Sequence, residues 1–300
     1  MFALYSRCRI KSYLFWLFFL HFSVLIHGSQ SDGGNIAICH FGGLPRPKKG
    51  GSYTFQQGLH IWSGSVAQYF QNNVLSIALA AGYQVDVYNH MWSRREWNNS
   101  FIERKLSSAF KERLPLVRHV HTIVQNYEDT QWQRWTMEGI PMLQSIEAGL
   151  RYMQSKARRL LHNSQEYHFV LILRYDTIIR TPFKFDALNP KLFYVANWCS
   201  ASGLGGHIKS SGKGKFPNRF CSPLHRWWAD QEGIPDFYFA SSPLLVNYVF
   251  SGIVNDFIGR KFVAAGASTA HGIIRGRLQR YDSSCTIFLP RSLLFSYAFS

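Results

Sequence analysis

Arg174, Tyr175 and Asp176 follow directly on five consecutive apolar residues, Phe169 to Leu173, in the stretch HFVLILRYDTIIR. A run this apolar reads as a buried strand, so the guanidinium and the carboxylate stand where the strand hands over to a loop. Such a pair can meet an anion through the arginine and a cation or polar group through the aspartate. The plainer alternative is structural, with Asp176 capping a turn and Arg174 paired to Asp176 or Asp86. A second short apolar run, NIAICHF, leads into FGGLPR. There Gly42 and Gly43 let backbone approach a ligand that Arg46 contacts; a tight turn explains the glycines but not the arginine. Asp86, near the end of the strand-like YQVDVYNHMW, is either ligand-facing or structural.

Several familiar chemistries are excluded by spacing. Gly206 and Gly212 have five residues between them, and Gly214 follows Lys213, so the glycine-rich loop is not a P-loop. GLGG lacks the last glycine of a dinucleotide fingerprint, and the chain has no HExxH, paired CxxC or GxSxG. The 33 Lys+Arg against 17 Asp+Glu give a formal charge of +16, which favours anionic partners. The basic residues are scattered, with no contiguous run or zinc-finger pattern, so nucleic acid is not expected among them. A membrane surface and small phosphates or diphosphates remain as anionic partners.

The elements that must position these residues begin after a leader. Arg7, Arg9 and Lys11 precede an apolar block, Tyr13 to Ile26, broken only by His21 and Ser23. Residues 1–30 therefore read as a signal peptide, with Gly28 a suitable small residue at the cut, or as a short type II signal-anchor. Either way, residues 31–300 are expected as one domain in the lumen of the secretory pathway. Cys39 and Cys285 lie in apolar runs and read as buried thiols. Cys199 and Cys221 flank a Gly/Ser/Lys loop and are the candidate disulfide, and Asn98-Asn99-Ser100 is a sequon usable in that compartment.

Strand-like and helix-like segments then alternate. NIAICHF is a strand, and Ile61 to Gly82 has helical spacing. YQVDVYNHMW is a strand, Glu96 to Leu114 a helix, and LVRHVHTIV a strand. EGIPMLQSIEAGLRYMQSKARRLL is the longest helix, and the Phe169 run is the fourth strand. KLFYVANW and DFYFASS read as later strands, and Pro243 to Phe257 as a helix. The alternation predicts an α/β fold with a central, mostly parallel sheet flanked by helices, whose ligands bind at the carboxyl ends of the strands.

Taken in order, IAICHFGGLPR, VDVYNHMW, a long helix with QS near its start, VLILRYDTII and GIPDFYFAS resemble glycosyltransferase-like proteins of the GT-A kind, over roughly Asn35 to Ser242. The resemblance implies a single GT-A-like, Rossmann-like domain that moves a sugar from a nucleotide-diphosphate donor to a glycan, glycoprotein or glycolipid acceptor. It implies the Golgi or ER lumen, as a type II membrane protein or secreted. It places the nucleotide and diphosphate at Gly42, Gly43, Arg46, Asp86 and Arg174. The family's metal-holding Asp-x-Asp corresponds to Arg174-Tyr175-Asp176, with the first acid replaced. Asp176 is thus the expected ligand for Mn²⁺ or Mg²⁺, joined by His271, while Arg174 can take over part of the charge neutralisation. Asp236 is the implied base for an inverting transfer, with Asp230 and Glu232 as competitors, and a retaining enzyme needs none. Trp227 and Trp228 are the candidate acceptor-stacking residues, and Lys209, Lys213 and Lys215 form a lid or a solvated loop. Two rivals use the same features. A non-catalytic carbohydrate-binding protein on this fold would bind glycan without donor turnover. A luminal sulfotransferase would bind a 3′-phosphorylated adenosine donor, against which the failed P-loop match stands.

Overall fold

The structure, a computed structural model, describes residues 33–44, 54–93, 97–126, 140–161, 166–180, 182–196, 238–259, 270–281, 286–289 and 295–297. The leader, Arg46, the Cys199 to Trp228 loop, Asp230, Glu232, Asp236 and Cys285 lie outside these residues. Among the described residues no helix is long and apolar enough to cross a membrane.

The strands among the described residues are β1 (Asn35–Phe41), β2 (Gln84–Ser93), β3 (His119–Asn126), β4 (Tyr167–Arg174), β5 (Thr177–Ile179), β6 (Phe193–Ala196), β7 (Tyr238–Ser241), β8 (Thr286–Leu289) and β9 (Phe295–Tyr297). The six expected strands form, as β1 to β4, β6 and β7, and three short ones, β5, β8 and β9, were not anticipated. Seven of them make one sheet in the order β3-β2-β1-β4-β7-β6-β8, and β5 pairs separately with β9. β7 runs against its neighbours β4 and β6, and every other pairing in the large sheet is parallel. β1 is buried over its whole length, as a strand covered on both faces must be. The fold is therefore α/β with a mixed, mostly parallel sheet.

Residues 55–80 (α1) and α2 (Asn99–Arg113) cover one face. The other face carries α3 (Ile140–Leu160), α4 (Pro243–Phe250), α5 (Ile253–Ile258) and α6 (Ala270–Tyr281). Trp62, Val66, Phe70 and Val74 of α1 face the sheet four residues apart, and Trp62 stacks on Phe110 of α2 at 4.0 Å between centroids. Side chains buried this completely contribute about 2 kcal/mol each.

Three helix boundaries differ from the sequence reading; α2, expected from Glu96, starts at Asn99, where Asn98 Oδ1 caps it by accepting from Phe101 N at 2.9 Å. α1 starts six residues before Ile61, because Thr54 and Gln57 form a capping box: Thr54 Oγ1 accepts from Gln57 N at 3.2 Å and Gln57 Oε1 from Thr54 N at 3.0 Å. The helix expected over Pro243 to Phe257 is two, α4 and α5, broken at Ser251-Gly252, where Gly252 has φ +66°. As expected, Cys39 is a buried thiol, its Sγ 3.6 Å from Met153 Sδ.

Candidate functional site

From β1 the chain passes to β2 and β3 on one side, then returns to place β4 on the other side of β1. The carboxyl ends of β1 and β4 therefore border a topological switch point, where open α/β sheets form their ligand crevices. Phe41 is paired with Arg174 across these two strands, so Gly42 and Tyr175-Asp176 leave the sheet side by side.

Gly42 has φ +91°, a conformation that a side chain resists, and a Cβ added at Gly42 or Gly43 would meet no atom within 4 Å. The outer side of this loop is thus open. Its inner side is fixed: the Gly42 N–H donates to Ser145 Oγ at 3.0 Å, at the start of α3. Ser145 Oγ lies 2.7 Å from His90 Nδ1, and His90 Nε2 lies 2.9 Å from Gln125 Oε1. A carbonyl oxygen only accepts, so Nε2 carries the proton and Nδ1 accepts from the Ser145 hydroxyl. Both His90 and Ser145 are fully buried. Burial lowers the pKa of His90 to about 4, against a raising effect of the Gln125 bond, and keeps the ring neutral. Gly149 lets α3 come this close to β2, since a Cβ there would sit 3.3 Å from His90 Cβ.

At the end of β4, Arg174 chelates Asp176, with Nε to Oδ1 at 2.9 Å and Nη2 to Oδ2 at 2.8 Å. The pair is partly open, with 28% of the arginine and 21% of the aspartate side chain exposed. The turn beneath it is anchored by Tyr175, which is fully buried and stacked on His40 at 5.4 Å. His40 is wedged against Phe70 and Phe110, and burial lowers its pKa to about 3, against a raising bond from Asn89. β5, which follows the turn, is held to α1 where Asn73 Nδ2 donates to Ile179 O at 2.8 Å.

Asp86 lies elsewhere. It is the third residue of β2 rather than near its end, paired in register with Ala37 and His119 towards the amino ends of the strands. Its buried carboxylate accepts from Arg118 Nε at 2.9 Å and Nη2 at 2.5 Å, from His119 Nδ1 at 2.9 Å and from Tyr167 Oη at 2.7 Å. Burial alone would raise its pKa; the Arg118, Tyr167 and His119 bonds outweigh that and lower it below the usual carboxylate range. Asp86 does not reach the switch-point crevice, and Arg174 pairs with Asp176 rather than with it.

The structure thus brings together Gly42, Gly43, Arg174 and Asp176 from the sequence-derived set. Arg46, Trp227, Trp228 and Asp236 lie outside the described residues, and His271 lies in α6 with its side chain undescribed. Asp176 is the one described member of the expected metal pair; each of its oxygens accepts a bond from Arg174 and keeps lone-pair capacity that a divalent cation would use. Among the described residues no group of three His, Cys, Asp or Glu is placed to hold a metal ion. The His90–Ser145 link and the His40–Tyr175 stack had no assigned role in the sequence, although VDVYNHMW and QS stood among its distinctive pieces. No family model matches the chain, and no curated protein matches it.

Proposed function

We propose that the protein is a nucleotide-sugar-dependent glycosyltransferase with a GT-A-like fold, acting in the secretory pathway on a glycan or glycoconjugate acceptor. One observation carries this reading. FGG, NHMW, QS and RYD, which are far apart in sequence, meet at the carboxyl ends of β1, β2 and β4, three of them joined by the Gly42–Ser145–His90 hydrogen bonds.

In this account the nucleotide diphosphate lies over the open side of Gly42 and Gly43, with Arg46 beside it and its phosphates against Arg174. The acceptor hydroxyl oxygen attacks the anomeric carbon as the bond to the diphosphate breaks. In an inverting transfer the hydroxyl proton passes to the Asp236 carboxylate. The charge growing on the leaving diphosphate is met by Arg174, which Asp176 orients. A divalent cation, if bound, would be held by Asp176 and His271 and would add to that neutralisation. Trp227 and Trp228 are the proposed acceptor platform.

Release of nucleoside diphosphate from a panel of nucleotide sugars, with mixed glycan acceptors, tests the proposal. Turnover by the native chain that Asp176→Asn abolishes without unfolding supports it. Full activity in Asp176→Asn removes Asp176 from the mechanism. The closed Arg174–Asp176 pair favours one alternative, a carbohydrate-binding protein without turnover, which predicts glycan binding and no diphosphate release with any donor.

A further inference from the structure

We infer that the groove along the outer edge of β3 is an oxyanion site, taking a sulfate or phosphate group, and that it is separate from the switch-point crevice. β3 is the outermost strand of the sheet. A pocket of about 300 Å³ opens along its first residues, lined by Lys111, Arg118, His119 and His121 with Leu114 and Val120.

Lys111 and Arg118 line this pocket, and Lys156 acts on His121 from α3 without lining it. Lys111 is exposed in the last turn of α2 and makes no ion pair among the described residues. Arg118 and His119 are fixed from behind by Asp86; His119 gives Nδ1 to that bond and keeps Nε2 uncommitted. Lys156 of α3 lies 5.3 Å over the Tyr152 ring, which packs edge-on to His121 at 6.4 Å. His121 stacks on His119 at 5.9 Å and on Tyr88 at 5.1 Å, and its buried Nε2 has no hydrogen-bond partner. After burial itself, Lys156, His119 and Lys111 all push the His121 pKa down and only Asp86 opposes them.

The acid in contact, Asp86, is fully buried and its charge is matched by Arg118. The other acid acting nearby, Glu103, acts on Tyr152. The groove is therefore left positive. Gathered like charges repel, and an oxyanion would both relieve that repulsion and accept from donors arriving from several directions. A tetrahedral sulfate or phosphate, free or as a sugar ester, suits such a donor set better than a planar group.

The full chain would be titrated at constant ionic strength with inorganic phosphate, inorganic sulfate and N-acetylglucosamine 6-sulfate, following the histidine ring protons by NMR. Saturable shifts at His119 and His121, weakened at least about fivefold in Lys111→Gln and kept in Arg174→Gln, are the expected result. Tighter binding of the sugar ester than of the free ions would identify a sulfated saccharide as the ligand, and the reverse order a free ion. No saturable shift, equal affinity in Lys111→Gln, or loss in Arg174→Gln would overturn the inference. The outcome is independent of donor turnover, so it stands or falls apart from the transferase reading.

Discussion

Among the described residues, two of the arginine–aspartate pairs stand at opposite ends of one sheet, and they are built differently. Asp86, at the amino end, is fully buried and takes bonds from Arg118, His119 and Tyr167. Asp176, at the carboxyl end, is partly exposed and takes its bonds from Arg174. A carboxylate enclosed by three donors is a fixed part of the core, and removing it leaves a guanidinium without its partner. A partly solvated pair contributes little stability, so its place beside an open glycine loop asks for another explanation. The proposed transfer chemistry would supply that explanation, and experiments can break or sharpen the contrast.

Acid should separate the two ends most strongly. The carboxyl half of the sheet holds two neutral buried imidazoles, with burial lowering His40 to about 3 and His90 to about 4. Their unfolded value is about 6.5, so below that pH the unfolded chain binds protons that the folded chain does not. Their contribution is complete above pH ~6.5 and is lost as pH falls towards the folded values. At pH 5 the loss should be about 2 kcal/mol per histidine. Urea unfolding at pH 7.5 and pH 5 would show it, and His40→Phe and His90→Gln should each flatten the slope. The lowered pKa of Asp86 gives stability that is present above the unfolded carboxylate value, about 3.9, and is lost only below it. An unchanged stability between pH 7.5 and pH 5 would contradict the buried neutral histidines.

Asp86→Asn should come next, costing about 3 kcal/mol in the same urea assay at neutral pH. A cost below about 1 kcal/mol would mean that the amino-end cluster is no more structural than the exposed pair. Gly42→Ala should cost about 1 kcal/mol, and from conformation alone, since open space lies where the methyl would go. Smallest in stability is Asp176→Asn, under about 1 kcal/mol, and the transferase account requires this near-neutral change to remove ligand binding.

Much of the frame was legible in the sequence. NIAICHF matches β1 residue for residue, and Phe169 to Leu173 lies inside β4, because strands buried on both faces leave an unbroken apolar run. That Arg174 and Asp176 stand at a strand end beside the glycine loop was readable for the same reason. The ends of elements were harder. The α1 start lay in the Thr54-x-x-Gln57 signature, and the α4–α5 break in one glycine within an apolar stretch. Asp86 is the fourth residue of YQVDVYNHMW, so its place near the amino end of β2 was legible, but its partners, 32 and 81 residues away, leave no trace in local periodicity. His90, Ser145 and Gln125 likewise become one unit only when α3 packs on β2 and β3 pairs with it.

The most direct test of the central claim is thermal unfolding of the full chain against a panel of nucleoside diphosphates and nucleotide sugars, with and without Mn²⁺, for the native sequence and Asp176→Asn. A ligand present at 100 times its Kd stabilises by about 2.7 kcal/mol, a shift of several degrees for a domain of this size. The account predicts such a shift for one nucleotide class, lost in Asp176→Asn while the unliganded melting temperature barely moves. No shift with any nucleotide, or an equal shift in Asp176→Asn, would contradict it and leave Arg174 and Asp176 as a turn closing a well-buried strand.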